Sequence, residues 1–215
     1  MNEGETVADA AVPQNKAMTE VADVPRLPRV LIIGDSISIA YTLPVRELLK
    51  GKANVHRISV NAGASNGPKR VQTWLGHDKW DVVIFNFGIH DAKIKKGQVT
   101  TELAAYEQNL REVVGILQEN GARLIFATTT PIPAVVKPEG RTFAPIPPYN
   151  EVALKVMKES NVSVEDLYAL MTPVQEKYQK PFDVHFTKEG SEFLAKDIAL
   201  HIEQQLQTSP ATSQR

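Results

Sequence analysis

The chain has no cysteine among its 215 residues, which excludes disulfides, cysteine-ligated zinc, iron–sulfur clusters and a thiol nucleophile. A cysteine-free chain suits the cytoplasm and secretion equally. Charge of either sign is not in excess: 24 Lys+Arg stand against 25 Asp+Glu, a formal net charge of -1. That balance gives no argument for a nucleic-acid or membrane-surface partner. No apolar run approaches the roughly 20 residues that a membrane helix needs. A phosphate loop, a dinucleotide glycine fingerprint, an HExxH zinc helix and a Gly-x-Ser-x-Gly elbow are all absent. The first six residues are polar and acidic, with no basic start and no apolar stretch. Two compartments stay open: the cytoplasm, or the exterior or periplasm after removal of a leader.

What is present reads as one domain with two tails. The length suits a single sizeable core, and 42% hydrophobic with 23% charged residues is ordinary for a globular protein. Residues 1–28 lack apolar periodicity and carry Pro13, Pro25 and Pro28, as expected of a flexible or surface-draped arm. Residues 29–207 form the expected domain, and the polar residues 208–215 a frayed tail.

Short apolar runs at 29–34 (RVLIIG), 54–60, 81–87 (DVVIFNF), 122–128 (ARLIFAT) and, more weakly, 162–164 read as strands. Helical patterns fill 43–50, 68–75, 100–119, 148–159, 167–178 and 188–206. Such alternation predicts an α/β fold: a three-layer α/β/α sandwich around a parallel, flavodoxin-like five-stranded sheet. Ligands of such sheets bind beyond the carboxyl ends of the strands, which directs attention to the residues just after each one. The loop at 131–148 carries six prolines, which leave no room for a helix or central strand. It either walls a substrate site or is a surface insertion.

Four segments place reactive residue types at that edge. Gly34-Asp35-Ser36 follows the first strand, where a serine can expose both Oγ and its own N–H. A serine in such a turn more often caps a helix. Asn61-Ala62-Gly63 follows the second strand; its glycine can offer an N–H to an oxyanion, or is only a turn. Gly88-Ile89-His90-Asp91 ends the third, where His90 can donate to an oxyanion or bond the backbone, and Asp91 can cap the turn. His185 lies just before the last helix, where a neutral imidazole can reach a serine. His56, His77 and His201 read as structural, and Trp74 and Trp80 as packing. Lys93, Lys95 and Lys96 read as a solvated rim that could also meet an acidic substrate.

Together these segments resemble the SGNH hydrolase superfamily, the GDSL esterases and lipases, over residues 29–206. Gly34-Asp35-Ser36 matches its first block, Gly63 the glycine of its second, Gly88-Ile89-His90-Asp91 its third and His185 its fifth. Asn86-Phe87-Gly88-Ile89-His90-Asp91 is similar to a bacterial branch reading NFGLHD there. The resemblance implies Ser36 as nucleophile, His185 as general base, and an oxyanion hole of the Ser36 and Gly63 N–H groups with a third-block side chain. It implies no metal and no organic cofactor.

Two positions depart from the pattern. His90 stands where the family has asparagine, so the third donor is His90 or Asn86. Phe182 stands three residues before His185, where the family has its acid, and Asp183 only two before. Either Asp183 completes a triad on a changed loop, or a backbone carbonyl orients His185 in a Ser–His dyad. The resemblance implies a small-molecule or carbohydrate ester as partner and, through its bacterial branch, O-acetyl groups on carbohydrate; the polar segments around the motifs favour short acyl groups. A lipid or thioester acyl group is the enzymatic alternative, and a binding module that lost its triad acid the non-enzymatic one. Oligomeric state stays open.

Overall fold

The computed structural model of the chain describes residues 15–138 and 141–207. The elements run β1 (Arg29–Ile33), α1 (Ser36–Leu48), β2 (Asn54–Arg57), α2 (Gly67–Leu75), β3 (Val82–Phe85), β4 (Lys93–Lys95) and β5 (Gln98–Val99). Then follow α3 (Leu103–Asn120), β6 (Arg123–Ala127), β7 (Thr142–Phe143), α4 (Ile146–Glu159), β8 (Ser163–Glu165), α5 (Leu167–Met171), α6 (Gln175–Tyr178) and α7 (Lys188–Gln207).

The unbroken apolar runs become central strands because both of their faces are covered. Leu31, Ile33, Val83 and Phe85 face one core with residues of α2, α3 and α4. Val30, Ile32, Val82 and Ile84 face the other with residues of α1, α5 and α7. The main sheet is parallel throughout, in the order β2-β1-β3-β6-β8, so the molecule is the expected α/β/α sandwich. From β1 the chain goes first to β2 on one side and later to β3 on the other. That reversal opens a crevice at the carboxyl ends of β1 and β3.

Several elements differ from the sequence expectation. The first helix begins at Ser36 rather than 43, because Ser38 and Thr42 sit on its buried face and mask the apolar period. Both hydroxyls are satisfied inside the helix: Ser38 donates to the Asp35 carbonyl at 2.7 Å and Thr42 to that of Ser38 at 2.6 Å. The 131–148 loop is shorter than its prolines suggest. Pro147 and Pro148 lie in the first turn of α4, where a missing N–H costs nothing. Residues 142–143 form β7, an edge strand of a second, antiparallel sheet β5-β4-β7 that the sequence did not announce. Its hairpin turns on Lys96 and Gly97, both at positive φ, as a two-residue turn of primed type requires. The 167–178 stretch is two short helices separated by a 3-10 turn at Thr172–Val174 that contains Pro173.

Residues 15–28 lie against the body of the domain. Asn54 bonds Val24 and Leu27 backbone groups, and Arg46 reaches the carbonyls of Lys16 and Thr19. The rest of the expected arm, residues 1–14, and the tail at 208–215 lie outside the described residues. Among the described residues no helix is long and apolar enough to cross a membrane.

Candidate active site

Ser36 is the first residue of α1. Asp35 caps that helix through its side chain, which accepts the Ile37 N–H at 2.8 Å. Gly34 lets the turn close: a Cβ there would lie 3.0 Å from Ser38 Oγ. Burial pushes the Asp35 carboxyl above its ordinary range, opposed in part by the Ile37 N–H and the nearby His90 and Arg57. Arg57, at the end of β2 and 7% exposed, fastens the turn from beneath. Its guanidinium donates to the Gly34 and Asp35 carbonyls at 3.0 and 2.8 Å, to Ser38 Oγ at 3.0 Å, and to the carbonyls of Ile58 and Val60. Arg57 belongs to the 54–60 run that reads as a strand and to none of the four reactive segments. The available signal was a charge at an inward-facing strand position.

The third-block segment leaves β3 at Asn86. Gly88 adopts φ +151°, and a Cβ on it would collide with the Thr129 side chain, so only glycine fits. Asp91, fully buried, accepts the N–H groups of Ala64 and Ser65 at 3.0 and 3.1 Å and the Thr101 hydroxyl at 2.8 Å. It therefore ties the Gly63 turn to the third block instead of capping its own turn. A Cβ on Gly63 would lie 3.2 Å from that of His90, so the two residues are neighbours. Among the described residues the Gly63 N–H has no acceptor. His90 Nε2 is buried and has no hydrogen-bond partner. Asn86 is engaged elsewhere: its amide donates to the Ala127 carbonyl at 2.7 Å, bridging β3 and β6.

At the other end of the chain, residues 179–186 fold back on themselves. Gln179 bridges to Phe186, and the Lys180 N–H bonds the His185 carbonyl at 2.9 Å. Val184 and Phe186 are buried in the core, while Asp183 and His185 alternate with them and share the other side. His185 Nε2 lies 2.8 Å from Ser36 Oγ. Its Nδ1 lies 2.7 Å from Asp183 Oδ1, which also accepts the His185 N–H at 3.3 Å. Burial pushes the Asp183 carboxyl up, but these bonds and the charges of His185 and Arg141 outweigh it and hold it below the usual carboxylate range. The 131–138 segment braces this loop, with Gln179 donating to the Pro131 carbonyl at 2.9 Å and Lys137 N–H to that of Phe182 at 2.8 Å.

Ser36, His185 and Asp183 thus form one hydrogen-bonded chain, while among the described residues the Gly63 N–H and His90 Nε2, on neighbouring residues, have no partner. Such a chain can activate a hydroxyl as nucleophile, and such donors can stabilise an oxyanion. The other histidines lie elsewhere: His56 bonds Asp23, and His201 lies between Ser163 and Glu165. Among the described residues no three His, Asp or Glu side chains are grouped to hold a metal.

The profile of the GDSL-like lipase/acylhydrolase family matches residues 32–193. Among curated protein sequences none matches the chain. Among solved structures, a lipase/acylhydrolase from Enterococcus faecalis superposes with a TM-score of 0.71 at 22% identity, over 87% of this chain and 100% of its own. The acetyl xylan esterase AlAXEase gives 0.69 at 19%, over 81% and 99%. Axe2, an acetylxylan esterase from Geobacillus stearothermophilus, gives 0.64 at 18%, over 87% and 97%.

Proposed function

The chain belongs to the GDSL-like lipase/acylhydrolase family and is an ester hydrolase, and from that premise we propose that it removes small O-acyl groups, acetyl above all, through an acyl-enzyme on Ser36. His185 Nε2 takes the Ser36 proton as Oγ attacks the ester carbonyl carbon. The resulting oxyanion lies at the N-terminus of α1, where the N–H groups of Ser36 and Gly63 and the Nε2–H of His90 receive it. His185 then gives its proton to the leaving alkoxide, so the alcohol departs and the acyl group stays on Ser36. Water, deprotonated by the same imidazole, attacks that ester, and the carboxylic acid leaves as Ser36 regains its proton. Asp183 holds His185 in the tautomer with Nε2 free to accept, and stabilises the imidazolium between the two proton transfers.

The observation that carries this reading is the unbroken Ser36–His185–Asp183 chain at 2.8 and 2.7 Å. The unsatisfied, buried His90 Nε2 supports its role, because a buried donor without a partner is costly unless a ligand supplies one. Two structural neighbours named as acetyl xylan esterases support an acetylated carbohydrate as substrate. The exposed Val135 and Phe182 near the triad loop favour a second reading, a longer acyl chain.

Hydrolysis of p-nitrophenyl acetate by wild type and Ser36→Ala tests the chemistry. The expected result is a loss of about a thousandfold or more in kcat for the variant. Equal rates in the two proteins would overturn the reading. A p-nitrophenyl series from acetate to octanoate separates the acyl lengths; the acetyl reading requires kcat/KM to fall along it.

A further inference from the structure

The β5-β4-β7 sheet sits beside the catalytic residues and carries cations on one face. Its register pairs Lys93 with Phe143 and Lys95 with Gln98. Directly opposed residues of antiparallel strands share a face, as do residues two apart, so Lys93, Lys95 and Phe143 point the same way. Phe143 and Arg141 line a groove of about 300 Å³ together with residues 132–136. No carboxylate lies among the groove's described lining residues, and among the described residues Lys93, Lys95 and Arg141 have no ion pair. Glu139, the one acidic residue of the 131–148 loop, lies outside the described residues.

Both ends of this sheet lead into the site. β4 begins three residues after His90, directly beyond the Asp91 that holds the Gly63 turn, and Ala92 accepts the Ala144 N–H at 2.8 Å. Just before β7, the Arg141 N–H bonds the Pro138 carbonyl at 3.3 Å, and the neighbouring Lys137 N–H bonds the carbonyl of Phe182, the residue before Asp183; the Arg141 charge helps to lower the Asp183 carboxyl. Lys93, Lys95 and Arg141 therefore lie on segments that adjoin His90 on one side and Phe182–Asp183 on the other, in a molecule whose formal net charge is only -1. Such local concentration of one sign draws and orients substrates of the other.

We propose that the ester substrate is an acidic polysaccharide, an O-acetylated chain of uronate sugars whose carboxylates rest on Lys93, Lys95 and Arg141 while one acetyl group reaches Ser36. This rests on the hydrolase reading above and names its substrate class. A linear polyanion suits a row of cations on short paired strands. An anionic lipid surface would instead need a continuous apolar face, and the half-exposed Phe182 ring shares its surface with the Lys137 ammonium, 4.4 Å from the ring centroid.

The test compares acetate release from acetylated polygalacturonate and from acetylated xylooligosaccharides lacking uronate. The readout is the ratio of the two kcat/KM values in wild type and in a Lys93→Gln/Lys95→Gln double variant. The expected wild-type ratio is roughly tenfold or more at low salt, carried by KM, shrinking toward one in 0.5 M NaCl and in the double variant. An Arg141→Gln variant gives a second, independent reduction of the ratio. A wild-type ratio near one, or a ratio that ignores salt and both substitutions, overturns the substrate class while p-nitrophenyl acetate turnover leaves the hydrolase standing. Fatty-acid release from phosphatidylglycerol vesicles without acetate release from the acidic polysaccharide also overturns it. Inert wild type on p-nitrophenyl acetate and on every glycan removes the hydrolase reading and this inference with it.

Discussion

Phe182 is a non-glycine residue at φ +59° with nearly half its surface exposed, immediately before Asp183. An L-residue in that region is strained and persists only where its surroundings hold it. Here the Asp183 N–H bonds the Lys180 carbonyl at 3.2 Å, and the Phe182 carbonyl accepts Lys137. The turn they define brings a carboxylate two residues before the histidine to Nδ1, and spacing alone could not foresee that. Ser36, Gly63 and His90 are legible in the sequence because each follows a recognisable strand, and His185 because it stands just before the last helix. The sequence left Asp183 open because an offset of two has no fixed direction until the backbone is known. Asp183→Asn keeps the shape and removes the charge, and kcat is expected to fall by about 10²–10⁴. Retention of near-full activity would favour a Ser–His dyad. The stability effect has a definite sign. The folded-state carboxyl sits below its ordinary value, so its contribution is present above about pH 4 and lost as pH falls through the lowered value. Chemical denaturation should therefore show the gap between wild type and Asp183→Asn closing as the solution is acidified.

At the scale of elements, the turn that carries Ser36 is fastened to its neighbours as much as to its own helix. β2 contributes Arg57, whose donors meet carbonyls on both sides of the β1–α1 turn and on its own exit. Apolar periodicity made the five parallel strands legible. It could not reveal this clamp, because a buried arginine is justified only by acceptors that other segments bring. The same limit explains the antiparallel sheet: strands of two or three residues carry too few positions for an alternating pattern. Arg57→Met approximates the volume and removes every donor, and is expected to cost about 2–4 kcal/mol of stability. It should also lower kcat on p-nitrophenyl acetate roughly tenfold or more, with a smaller change in KM, since the turn holding Ser36 loses its anchor. A lowered melting temperature with unchanged kcat would reduce Arg57 to a purely structural role.

Across the whole molecule, the site exists only because the first strand–helix turn and the last loop meet, 149 residues apart in sequence. The β2-β1-β3-β6-β8 order produces that meeting by placing the reversal beside β1, with α1 and α7 packed together on one face of the sheet. The Ser36–His185 contact is thus a property of the folded domain, and in the proposed mechanism Ser36 is reactive because His185 reaches it. Treatment with diethyl p-nitrophenyl phosphate, followed by mass measurement of the intact protein and its peptides, tests this most directly. We predict a single diethylphosphoryl group on Ser36 in wild type, none in Ser36→Ala, and labelling slowed by about a hundredfold or more in His185→Ala. A label on another residue, or none at all while wild type still hydrolyses p-nitrophenyl acetate, would contradict it.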